Sequence, residues 1–155
     1  MSFEQVLNKK AFINGEWVDA KSGDTFAVTN PATGDIVANI ADCNADDAQS
    51  AVAAAKAAFR PWANKTAKER CQIMRNWFDI VMAHDEELAA LLSTEQGKPF
   101  AEALGEIRYG AAYIEWFAEE ARRTYGDIVP SHKADARILV MKQPVGVVAA
   151  ITPWN

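Results

Sequence analysis

Residues 144–155 read Pro144-Val145-Gly146-Val147-Val148-Ala149-Ala150-Ile151-Thr152-Pro153-Trp154-Asn155, and the stretch from Val145 to Ile151 is apolar without alternation. A half-buried strand alternates apolar and polar residues, whereas a strand covered on both faces does not, so this run predicts a parallel strand of an α/β sheet. Parallel neighbours are reached through crossover connections. None follows within the 155 residues, and the expectation is a chain cut short of its sheet. Pro153 lacks an N–H and would end the pairing, which places Thr152 to Asn155 at the carboxyl end of the strand, where open α/β sheets bind ligands.

Upstream, Arg137 to Gln143 reads as another strand. Before it, Phe100, Leu104, Ile107, Ala111, Ile114, Ala118 and Ala121 recur at intervals of four and three, which predicts a long amphipathic helix to about Arg123. A helix led by Asp85 and carrying Leu88, Leu91 and Leu92 should stop at Gly97, with Pro99 barring continuation. Thr66 and Glu69 have the spacing of a capping box. The helix they open should run to about His84 and bury Met74, Trp77, Phe78 and Val81. An alanine-rich helix is expected from Asp46 to near Pro61, with Ala48, Val52, Ala55 and Phe59 on one face. The chain should open with two hairpins, one turning at Asn14-Gly15 and one through Asn30-Pro31-Ala32-Thr33-Gly34-Asp35.

Half the residues are hydrophobic, enough for one sizeable core. Lys and Arg number 16 against 21 Asp and Glu, and the net charge of −5 leaves no basic footprint for nucleic acid. No run approaches the roughly 20 apolar residues that cross a bilayer. The opening MSFEQVLNKK lacks the apolar core of a secretory signal, which points to the cytoplasm. Cys43, Cys71, His84 and His132 are isolated and show neither metal-ligand nor disulfide spacing. Glu102, Glu106, Glu115, Glu119 and Glu120 fit the solvated face of a helix, while Tyr109, Tyr113, Trp116 and Phe117 fit core better than the wall of a substrate tunnel.

The 144–155 stretch resembles the PxGV…PWN element of the aldehyde dehydrogenase family. Ile13-Asn14-Gly15-Glu16-Trp17, Asn30-Pro31-Ala32-Thr33-Gly34 and Glu95-Gln96-Gly97-Lys98-Pro99 support the likeness at the right order and rough spacing. Thr94 to Pro99 and Tyr113 to Glu120 look most like the bacterial succinate-semialdehyde dehydrogenases.

The resemblance implies an α/β chain forming the N-terminal part of that fold. Residues 1–136 would be hairpins and helices of a Rossmann-like cofactor domain, 137–143 a strand of an oligomerisation arm, and 144–155 the first parallel strand and its PWN loop. It implies that Ile151, Thr152, Pro153, Trp154 and Asn155 line a site for NADP or NAD, and that Asn155 is also catalytic, within the oxyanion hole. The chemistry suits those residue types: Trp154 offers a rigid apolar wall, and the Asn155 amide donates a hydrogen bond without carrying charge. No metal ligand is implied among these residues, although some relatives hold a monovalent cation near the position of Glu95. The partners would be a small aldehyde and further copies of the chain, as a dimer or tetramer, with neither nucleic acid nor membrane. Neither cysteine sits in the family's nucleophile motif, and the general-base Glu is also missing, so these 155 residues alone should be inactive. The alternatives are an enzyme for glutarate semialdehyde or an aromatic aldehyde, or a non-catalytic oligomerisation or decoy module.

Overall fold

In a computed structural model that describes residues 2–152, Asn14 and Gly15 take φ angles of 55° and 83°. Two successive left-handed residues make the tight turn that suits the twist of a hairpin. They join β1 (Ala11–Ile13) to β2 (Glu16–Val18), with Phe12 opposite Trp17. Phe12 and Ile13 lie over Ala51, Ala54, Ala55 and Ala58, whose small side chains let the hairpin come close to the first helix. The second hairpin pairs β3 (Thr25–Thr29) with β4 (Ile36–Ala41), with a register shift between Val28 and Thr29. Its loop is closed by hydrogen bonds: the Gly34 N–H donates to the Asn30 carbonyl, and the Ala32 N–H donates to Asn30 Oδ1.

The first helix, α1 (Ala45–Ala63), departs from expectation at both ends. It starts on a capping box of Asn44 and Asp47, a pairing not read from the sequence. Asp47 is only 3% exposed, and its carboxylate accepts the N–H groups of Asn44 and Lys21. The Asn44 hydrogen bond is the main cause holding this carboxyl below its ordinary pKa, with the Lys21 N–H and charge also lowering it. At the other end the helix continues past Pro61. A proline this near the end removes only the bond to Ala57, and the Asn64 N–H still closes the last turn on the Arg60 carbonyl.

Helix α2 (Ala67–Ala83) begins on the expected Thr66 and Glu69 capping box. Helix α3 (Asp85–Gln96) follows directly, and α4 (Phe100–Glu120) packs against both α2 and α3. Ala89, Leu92 and Ala103 form the buried centre of the α3–α4 contact, flanked by Phe100, Leu104 and Ile107. Ala103, Ala111 and Ala118 repeat along one buried face of α4, so the backbone there lies close to its neighbours. Arg75 of α2 donates to Glu115 of α4, and Arg108 of α4 donates to Asp85 of α3. The expected stripe on α2 needs one correction. Cys71 is buried and Met74, Phe78 and Val81 are partly buried, but Trp77 is 55% exposed.

The strand expected within 137–143 is β6 (Ile138–Val140). Its antiparallel partner, β5 (Asp127–Val129), was not foreseen. Gly126 makes the close approach possible, because a Cβ there would stand 2.1 Å from the Val140 carbonyl oxygen. Residues 145–151 form no strand here, contrary to expectation. Strand geometry depends on a neighbouring ladder, and no described strand lies alongside; Val145 is 91% and Ile151 98% exposed. The described strands form three two-stranded antiparallel sheets. Among the described residues, no helix is long and apolar enough to cross a membrane.

Candidate active site

Helix α3 ends where Gly97 adopts a left-handed φ of 81° and its N–H donates to the Ser93 carbonyl. Ser93 Oγ donates to the Lys98 carbonyl, and Pro99 starts α4 at once. The Pro31 ring packs against Gly97, so the Asn30–Gly34 loop and the Glu95–Pro99 turn, far apart in sequence, form one corner. Alongside α3 and α4 runs a groove of about 700 Å³ lined by apolar side chains of α2, α3 and α4, among them Val81, Leu88, Leu92 and Ile107.

Thr152 also lines this groove, which brings the end of the 144–152 stretch to the helical layer. Glu95 and Glu106 stand in the same wall. Burial against the leucines pushes the Glu95 carboxyl above its ordinary pKa, while Glu106 is ion-paired with Lys98. At the rim the Tyr109 and Tyr113 hydroxyls lie 2.7 Å apart, with the rings edge to face. The hydrogen bond to Tyr109 raises the pKa of the Tyr113 phenol.

Of the residues named from sequence, Thr152 lies at the groove, whereas the Ile151 side chain stands free of the helices. Pro153, Trp154 and Asn155 lie outside the described residues. Glu95 and Glu106 were not singled out as groove residues. Their signal was available, since each acid sits within an apolar helical repeat, beside Leu91 and Leu92 or beside Ile107. Tyr109, Tyr113, Trp116 and Phe117 of α4, expected as core, are each more than half exposed among the described residues. The acids of α4 do not gather, because Glu115 pairs with Arg75 and Glu120 with Arg123. Cys43 is exposed and Cys71 is buried between helices.

Ile151 and Thr152 offer a nicotinamide cofactor an apolar side chain and a hydroxyl, which fit its uncharged part. They do not fit its phosphates. The groove beside Thr152 carries Glu95 and Glu106, and the chain has no glycine-rich phosphate loop to turn N–H groups toward an anion.

The sequence profile of the aldehyde dehydrogenase family matches residues 17–155. The chain belongs to that family. It is 53% identical over 150 residues to the NADP⁺-dependent succinate-semialdehyde dehydrogenase of Escherichia coli, covering 97% of this chain and 31% of that one. It is 55% identical, with the same coverage of each, to a 3-sulfolactaldehyde dehydrogenase of Pseudomonas putida. The crystal structure of succinate-semialdehyde dehydrogenase from Burkholderia pseudomallei superposes with a TM-score of 0.93 at 51% identity, over 97% of this chain and 31% of that one. The chain therefore spans about a third of the length of the aldehyde dehydrogenases it matches, and its hairpins and helices are those of the N-terminal part of the aldehyde dehydrogenase fold.

Proposed function

We propose that the protein to which these residues belong oxidises succinate semialdehyde to succinate, with NADP or NAD as electron acceptor. The observation that carries this reading is the 53% identity, across nearly the whole chain, to an enzyme named for that substrate and cofactor. The nearly equal identity to a sulfonated-aldehyde enzyme supports a broader class, short aldehydes with an anionic group at the far end. Groups that grip that anion would come from outside these 155 residues.

In this reading a cysteine thiolate attacks the aldehyde carbon, and the carbonyl oxygen becomes an anion held by the Asn155 amide and a backbone N–H. Cys71 is buried in a helix interface and Cys43 lies in a loop outside the groove, so the nucleophile and the general base belong elsewhere in the complete fold. Ile151, Thr152, Pro153 and Trp154 would support the cofactor's uncharged end. When bound, that cofactor supplies the acceptor for the two electrons lost by the aldehyde carbon. The β5–β6 ribbon exposes Ile128 and Leu139, and Met141 follows it exposed, apolar side chains suited to an arm joining copies of the chain as a dimer or tetramer. A cytoplasmic setting belongs to the same proposal.

The test is the enzyme expressed from its whole reading frame, assayed with succinate semialdehyde, glutarate semialdehyde and 3-sulfolactaldehyde against both cofactors. Succinate semialdehyde should show the highest kcat/KM; a clear preference for either other aldehyde overturns the substrate assignment. Asn155→Ala should lower kcat by roughly 10²–10³-fold, the scale for loss of one oxyanion donor, with little change in cofactor binding. An unchanged pre-steady-state burst of reduced cofactor in Asn155→Ala would remove Asn155 from the oxyanion hole.

A further inference from the structure

We draw no further inference here: the strongest candidate, the exposed aromatic face of α4 carrying Tyr109, Tyr113, Trp116 and Phe117, is an unpartnered apolar surface, and nothing in the structure shows what covers it.

Discussion

Gly97→Ala puts a methyl group where both the backbone and a neighbour reject it. The φ of 81° lies in the left-handed region, where an L side chain costs about 1–2 kcal/mol. The added Cβ would also stand 2.9 Å from Cγ of Pro31, closer than packed carbons approach, and the stiff proline ring yields only if its loop moves. Overpacking of this kind costs about 1–3 kcal/mol. Against these, alanine restricts the unfolded chain and returns about 0.4–1 kcal/mol. The net loss is about 3 kcal/mol, which for a chain of this size lowers Tm by roughly 6–12 °C. Thermal unfolding followed by circular dichroism measures it. The two causes separate in a double-mutant cycle: in a Pro31→Ala background the clash disappears, and Gly97→Ala should cost only about 1 kcal/mol. Gly97→Asn should cost less than Gly97→Ala, because asparagine tolerates the left-handed region better. Equal penalties with and without the Pro31 ring would refute the contact between the two loops. A Tm that does not fall in Gly97→Ala would refute the backbone argument as well.

Removing the Thr66 hydroxyl from the α2 cap by Thr66→Ala should cost about 1 kcal/mol, read as a shifted urea midpoint at unchanged slope; no shift would mean that the hydroxyl's hydrogen bonds with Glu69 contribute nothing net. Ala103→Leu, at a fully buried helix crossing, should lose about 1–3 kcal/mol by the same assay while the exposed Ala101→Leu stays near neutral, and equal effects would contradict the close α3–α4 packing. Glu95 has a folded pKa raised above 4.5 by burial, so its contribution to stability is full below 4.5 and is lost as pH rises through the raised value. Glu95→Gln, which keeps the shape without the charge, should therefore stabilise the protein at neutral pH and leave it unchanged under acid conditions; identical stability-versus-pH curves for the two proteins would place Glu95 in water rather than in the groove wall.

What the sequence by itself determined is whatever depends on a few neighbouring residues. Asn14-Gly15 specifies its turn because both residues accept positive φ, Thr66 and Glu69 satisfy each other's N–H groups within one turn, and Gly97 followed by Pro99 stops a helix whatever surrounds it. The motifs around Pro31, Gly97 and Pro144 to Asn155 were equally legible as a family signature. Only the tertiary structure decided which residues meet across distance. It set the Pro31 ring against Gly97 and drew the Lys21 N–H onto the buried Asp47, and it left Trp77, Tyr109, Tyr113, Trp116 and Phe117 exposed among the described residues although their spacing read as core. It also brought Thr152 to a groove whose acids, Glu95 and Glu106, did not read in sequence as sharing one wall. The unpaired run from Val145 to Ile151 shows the same division. Its apolar character is written in its side chains, but a strand is a relation between two segments, and the hydrogen bonds that would make it one have to be supplied by a neighbour.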